Sequence, residues 1–384
     1  MALRGAAAFT GWCGCNIGDI GNMRASLMSV LLLGLSVLCT ATACWAAPAW
    51  AQPARSVTLG ARPAAASTPP ALTAYSTVKV GVPTRRGLRP GTLVLPHGPG
   101  RHPAVVMVGG SGPGLRGGLL AAATELASRG VAALVYDKNL SGYSWRARDY
   151  DALGADAADA VRVLAAHPEV DERRVGLWGF SEGGWVVASA AATDASVAYV
   201  VMVSAPTVSP GQQAGWVVSR ALSERGLHRL QHSAALHLST SRAFAYTEYR
   251  PPLSRMDQPV LAVFGAEDRT VPVATAVTLL RAQLPQEPTV QVYAGSGHHL
   301  TTPQGEPTVG YYDRTAAWIQ RHEEAQLVET EVNQQPALPA PLARNATADT
   351  LLYAAAAFLL AGVGAGCVGL ASSTRRALSR HSSR

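Results

Sequence analysis

Ser181 sits in Gly179-Phe180-Ser181-Glu182-Gly183-Gly184, directly after the apolar run Arg174–Trp178. A serine hydroxyl is barely ionised at neutral pH and attacks a carbonyl only beside a base that takes its proton. Glycines two residues before and after it let the backbone bend where a Cβ would clash, which is the G-x-S-x-G pattern of a nucleophile elbow. The competing reading is an ordinary strand-to-helix turn, so a base, an acid and an oxyanion hole must be found elsewhere. A base is available in Ala294-Gly295-Ser296-Gly297-His298-His299, where three small residues free an imidazole to reach across strand ends. An acid is available in Gly265-Ala266-Glu267-Asp268-Arg269-Thr270-Val271-Pro272. A carboxylate at Asp268 would hold the imidazole in one tautomer and stabilise the imidazolium; capping the helix near Pro272, or merely making a turn, are its alternative roles. Gly109-Gly110-Ser111-Gly112-Pro113-Gly114 supplies backbone donors, and since Pro113 has no N–H the choice is Gly110, Ser111 or Gly112.

Elements of the right kind surround these loops. Thr77–Val80 and Gly91–Pro96 predict two strands joined by a Gly/Pro/Arg turn. Continuous apolar strands are expected at Ala104–Val108, Val131–Tyr136, Arg174–Trp178, Ala198–Val203, Pro259–Phe264 and Val290–Tyr293. Helices are expected at Leu119–Arg129, 150–166, Glu182–Ala192, Val273–Leu284 and Tyr311–Leu327. Solid apolar strands alternating with amphipathic helices predict an α/β fold, a mostly parallel, doubly wound sheet covered on both faces. Residues 207–257 break this rhythm and read as a helical lid or cap insertion. In this frame the candidate acid and base each follow a strand.

The order Ser181, Asp268, His298, each after a strand, resembles that of the α/β-hydrolase superfamily, over residues 72–328. Closer similarity is to bacterial short-chain esterases related to dienelactone hydrolases and prolyl-oligopeptidase-like serine hydrolases. It is carried by G-T-L-V-L-P (91–96), G-G-S-G-P (109–113), Leu134-Val135-Tyr136-Asp137-Lys138, G-F-S-E-G-G (179–184) and G-A-E-D-x-x-V-P (265–272). The resemblance implies an α/β-hydrolase fold with no cofactor or metal, and a triad of Ser181, Asp268 and His298. His298 rather than His299 follows from the G-x-G-H register. It also implies an oxyanion hole made by the backbone N–H groups of Ser111 and Glu182, with no part for the Glu182 carboxylate. One departure is Gly109, where that branch has a histidine, and it predicts a less rigid loop.

Gly112-Pro113-Gly114-Leu115-Arg116-Gly117, with Asp137 at the next strand end, also matches the G-x-G-x-x-G layout of a dinucleotide site. Against it, Pro113 removes a phosphate donor and two strands precede the loop. Tyr136-Asp137-Lys138 reads instead as a strand-end turn lining the cleft.

The chain has 384 residues, 48% hydrophobic, and a net charge of +7. That charge is partly terminal, at Arg4, Arg24, Arg375, Arg376, Arg380 and Arg384, and no basic stripe interleaved with aromatics points to nucleic acid. Residues 1–51 read as a signal segment ending at Ala49-Trp50-Ala51, with Met23 as an alternative start, and 52–71 as a flexible lead-in. Residues 329–349 read as a polar linker, 350–372 as an uncharged transmembrane helix and 373–384 as a basic cytoplasmic tail. The five cysteines, Cys13, Cys15, Cys39, Cys44 and Cys367, fall outside the expected catalytic domain, which therefore has no disulfide. Together these features predict an exported, membrane-tethered serine hydrolase acting on small acyl esters, with oligomeric state open. A peptidase or a thioesterase/acyltransferase on the same triad, and a catalytically silent surface-binding module, are the alternatives.

Overall fold

The computed structural model describes residues 74–144, 147–226 and 249–321. Eight strands form one sheet: β1 (Tyr75–Thr84), β2 (Gly87–Pro96), β3 (His102–Val108), β4 (Ala132–Tyr136), β5 (Val170–Phe180), β6 (Val200–Val203), β7 (Val260–Gly265) and β8 (Thr289–Tyr293). Their spatial order is β1-β2-β4-β3-β5-β6-β7-β8. Pairings β1–β2 and β2–β4 are antiparallel, and the others are parallel. Among the described residues the α-helices are α1 (Leu120–Ala127), α2 (Tyr150–Ala165), α3 (Gly183–Ala191), α4 (Pro210–Glu224), α5 (Val273–Gln283) and α6 (Tyr311–Arg321).

The continuous apolar strands are explained by two cores. On β3, Val106 and Val108 face one cluster while Val105 and Met107 face the other; on β4, Leu134 and Val135 divide likewise. Tyr150, Leu153, Val161 and Leu164 of α2, Trp185 to Ala188 of α3, and Ala276 and Leu280 of α5 close the first face. Leu126 of α1 and Tyr311, Trp318 and Ile319 of α6 close the second. Strands β3, β4, β6 and β7 therefore bury both alternating rows, and no polar row is required. Helix α3 is buried at every residue, and α2 packs beside it on the same face of the sheet. The approach is close: a Cβ at Gly154 of α2 would lie 2.9 Å from Ser189 Oγ of α3.

The hairpin differs from expectation. Its strands run on through Gly81, Pro83 and Pro90, and the connection shrinks to Arg85-Arg86 between Thr84 and Gly87. Pro83 is tolerated because β1 is an edge strand with one row of unpaired backbone groups. Helix α1 begins later than predicted, after a 3₁₀ turn at Arg116–Gly118. Strand β5 is longer than the apolar run Arg174–Trp178, extending in both directions to Val170 and Phe180.

Of the 207–257 insertion, α4 and the returning segment from Tyr249 are described. Helix α4 opens with Pro210 at its first turn and a Ser209–Gln212 capping box, which satisfies amides otherwise left open. Trp216 and Leu222 are buried, and Gln213 Nε2 donates to Thr270 O at 3.2 Å. Tyr249 Oη donates to Trp185 O at 3.2 Å, tying the return to α3. Among the described residues no helix is long and apolar enough to cross a membrane. The signal segment, lead-in, linker, 350–372 span and basic tail all lie outside the described residues.

Candidate active site

Strand β5 ends at Phe180, and the chain reverses into α3 through Ser181, which has φ 51°. A side chain in this left-handed region costs energy, and such residues persist only where surrounding bonds impose them. Here Ser181 N–H donates to Val203 O at 2.9 Å, and Gly184 N–H donates to Ser181 O at 2.8 Å. The flanking glycines are required by contact: a Cβ on Gly179 would lie 2.5 Å from Gly183 O, and one on Gly183 would lie 2.3 Å from Val108 O. The turn is thus pressed against the end of β3, beside the glycine-rich loop.

His298 follows β8 and Asp268 follows β7. His298 Nδ1 lies 2.8 Å from Asp268 Oδ2, and its Nε2 lies 3.0 Å from Ser181 Oγ. An ionised carboxylate can only accept, so Nδ1 carries the proton and Nε2 faces the serine hydroxyl as an acceptor. Asp268 is fully buried, and its other oxygen accepts from Thr270 N–H at 2.7 Å and Val271 N–H at 2.9 Å. One oxygen thus serves the turn and the other faces the imidazole, while the helix that follows has no side-chain cap.

The two loops are locked together through backbone. Glu267 N–H donates to Ser296 O at 2.9 Å, and a Cβ on Gly265 would lie 2.3 Å from that same oxygen. Arg220 of α4 adds a bond to Asp268 O at 3.0 Å. The ring centroid of His299 is 5.3 Å from that of Phe180 and 5.4 Å from that of His298, and burial, then the charge of His298, lowers its pKa.

On the opposite side of Ser181 the G-G-S-G-P loop follows β3. A Cβ on Gly110 would lie 3.3 Å from Ser181 Cβ, so the loop abuts the serine. Gly112 N–H is turned away and donates to Tyr143 Oη at 3.0 Å, which leaves Gly110 and Ser111 as the loop amides to consider. Glu182 occupies the N-cap position of α3 without a side-chain cap bond, at the end where the first amides of a helix have no partner within it.

The Glu182 carboxylate, to which sequence reasoning gave no part, is the centre of a buried network. Its Oε1 accepts from Lys138 Nζ at 3.1 Å and Tyr143 Oη at 2.7 Å; its Oε2 accepts from Ser111 Oγ at 3.2 Å and from Arg148 Nη1. Burial pushes the carboxyl up, but Lys138, Arg148 and these hydrogen bonds outweigh it and hold its pKa below the ordinary range. Burial raises the Tyr143 phenol, which stays a neutral donor. Lys138 Nζ also donates to Gly110 O at 2.7 Å. The loop is consequently pinned, despite the glycine at 109 that predicted a looser one. Lys138 follows the end of β4 and is buried; burial lowers its pKa, while the Glu182 carboxylate opposes that shift. Tyr143 and Arg148, in the β4–α2 connection, escaped notice because nothing in their local sequence marks them. Asp137, the acid that a dinucleotide reading would assign to a ribose, is bound by Arg116 N–H at 2.9 Å and by the Arg116 guanidinium.

Comparison with known proteins identifies the fold and the family. The chain is 32% identical over 145 residues to a polyketide transferase of Stachybotrys chlorohalonatus, covering 36% of this chain and 48% of that one. It is 27% identical over 237 residues to acyl-coenzyme A thioesterase 5 of Mus musculus, covering 58% of this chain and 54% of the relative. It thus spans about half the length of these curated relatives. An esterase structure from Pyrobaculum calidifontis superposes with a TM-score of 0.50 at 20% identity, over 64% of this chain and 84% of that one. The fold is the α/β-hydrolase fold. The prolyl oligopeptidase family model matches residues 126–326, from α1 past the end of α6, and the chain belongs to that family of hydrolases.

Proposed function

We propose that the chain is a serine hydrolase that cleaves carboxylic esters, favouring short acyl chains, through an acyl-enzyme on Ser181. The observation that carries this reading is the continuous bonded line from Asp268 Oδ2 through His298 to Ser181 Oγ, ending on a strained elbow. In the first half-reaction Ser181 Oγ attacks the carbonyl carbon while His298 Nε2 takes its proton. Asp268 keeps Nδ1 protonated and offsets the imidazolium charge. The negative charge on the carbonyl oxygen is met by the N–H groups of Ser111 and Glu182, which change little between ground and transition state. His298 then returns its proton to the departing alkoxide. Water repeats the attack on the acyl-enzyme with His298 again as base.

The relatives named as a thioesterase and a polyketide transferase favour a second reading, in which the acyl donor is a thioester. A thiolate leaves without prior protonation, so the same residues suffice. Export and membrane tethering are part of the first reading. They rest on the uncharged 350–372 stretch and the arginines after it.

A fluorophosphonate probe is expected to label the wild-type chain and not Ser181→Ala; absence of labelling would reassign the domain as a silent binding module. Rates on p-nitrophenyl esters of increasing length, acyl-coenzyme A thioesters and peptide amides then rank the substrate classes. Faster turnover of thioesters than of matched esters overturns the ester preference. Alkaline carbonate extraction of membranes expressing the full chain, against a chain ending at residue 349, tests the tether; release of both into the soluble fraction excludes it.

A further inference from the structure

A trans peptide holds its C=O and N–H on opposite sides of one rigid plane. In the Gly110–Ser111 peptide the carbonyl accepts from Lys138 Nζ at 2.7 Å, so the Ser111 N–H is directed away from Lys138. The next peptide is fixed differently, with Gly112 N–H donating to Tyr143 Oη at 3.0 Å. Lys138 and Tyr143 both end on Oε1 of Glu182, at 3.1 and 2.7 Å. Glu182 is the residue that follows the nucleophile. Its backbone N–H and the Ser111 N–H belong to two loops distant in sequence, and its side chain is the device that ties those loops together.

We propose that Lys138 is a positioning residue for the oxyanion hole. Its ammonium fixes the plane of the Gly110–Ser111 peptide and polarises the Ser111 N–H, while the Glu182 carboxylate holds Lys138 in register with the elbow. The inference rests on the reading of Ser181 as nucleophile with Ser111 and Glu182 as oxyanion donors. A cation on a carbonyl oxygen strengthens the hydrogen bond that the same peptide donates, because hydrogen bonds in a chain polarise one another. Two basic side chains, Lys138 and Arg148, face one carboxylate one peptide from where the oxyanion develops; burial lowers the Lys138 pKa, and the Glu182 carboxylate opposes that shift and favours the ammonium. With side-chain exposures of 4% for Lys138 and 1% for Glu182, water does little to screen that charge.

Stability alone gives no reason for this arrangement. A buried ion pair is often no more stabilising than apolar residues of the same volume. The location of the Lys138 contact, on the carbonyl of the candidate donor's own peptide, gives the cluster a catalytic rationale. It also supplies the rigidity that Gly109 alone would not.

Two variants separate this role from general loss of charge. Lys138→Met and Arg148→Met each leave Glu182 one cationic partner, but only the first frees the Gly110 carbonyl. With p-nitrophenyl acetate, K138M is expected to lose about 10- to 100-fold in kcat with KM within about threefold, and R148M no more than about fivefold, given that deleting a whole donor costs about a hundredfold or more. Phenylboronic acid, whose tetrahedral adduct places an oxygen in the hole, should weaken on K138M by the same factor as kcat. Equal losses in the two variants, a loss confined to KM, or wild-type kcat in K138M would overturn the proposal. Should K138M not fold, Lys138→Gln carries the test: a folded K138Q with wild-type kcat overturns it, and a kcat loss of about fivefold or more with KM unmoved supports it. Activity retained by Ser181→Ala would instead sink the underlying site assignment, an outcome distinct from any of these.

Discussion

The two sides of Ser181 are built on different principles. On the base side, neutral backbone does the holding: the Asp268 and His298 loops follow adjacent strands β7 and β8, and main-chain contacts of Glu267, Gly265 and Ser296 lock them. On the oxyanion side the holding is ionic. Lys138, Tyr143 and Arg148 come from the connection after β4 and converge on Glu182 at the start of α3. A site can thus be rigid by short-range turn geometry on one flank and by long-range buried charge on the other. The two flanks should fail differently when broken.

The base side should fail in rate. His298→Ala is expected to lower kcat/KM by about 10⁴-fold or more, since removing a triad base costs nearly as much as removing the whole triad. Asp268→Asn is expected to cost about 10⁴-fold, because an amide can donate and permits the wrong imidazole tautomer. Asp268→Ala carries a further penalty, because Thr270 N–H and Val271 N–H lose their acceptor. Each buried amide left open costs about 1–3 kcal/mol, so D268A should unfold at lower urea than D268N. Equal urea midpoints for the two variants would mean that Oδ1 contributes nothing to the loop.

The oxyanion side should fail in stability as well as rate, and with a pH signature. Glu182→Gln leaves Lys138 and Arg148 without a counter-charge, and breaking a buried pair costs about 3–5 kcal/mol. The folded-state pKa of Glu182 lies below its unfolded value, so its contribution is full above the ordinary carboxylate range and is lost as pH falls through the folded value. The gap in urea midpoint between wild type and E182Q should therefore be widest near pH 7 and narrow in acid. A gap that does not change with pH would deny the carboxylate its charge.

The same contrast decides what could be read from the sequence. Ser181, Asp268 and His298 stood out because a turn chemistry surrounds each: glycines where backbone meets backbone, small residues where a loop must be free. The parallel sheet was legible for the same local reason, since a strand buried on both faces is apolar at every position. Lys138, Tyr143 and Arg148 have no such signature. Their roles depend on which strand lies beside which, and β4 neighbours β3 only through the crossover α1. Glu182 illustrates the limit. The family resemblance implied a backbone role for it, while its side chain sits among partners that are 34 to 71 residues away in sequence.

The smallest effect is expected at His299, which adjoins His298 in sequence and packs on the same Phe180 ring. The bonds to Asp268 Oδ2 at 2.8 Å and to Ser181 Oγ at 3.0 Å are made by the His298 ring. Burial and the adjacent His298 lower the pKa of His299, so it is neutral at pH 7 and its removal takes no charge from the site. What His299→Ala removes is aromatic packing behind Phe180, a contact of about 0.5–1.5 kcal/mol beyond the area buried. That loss is expected to appear mostly as a slightly lower melting temperature, with kcat/KM within about threefold of wild type, because Asp268 still fixes the His298 ring from the other side. Parallel rate measurements on H298A and H299A read the register directly. A hundredfold loss in H299A with H298A spared would move the base by one residue and detach Asp268 from the reaction.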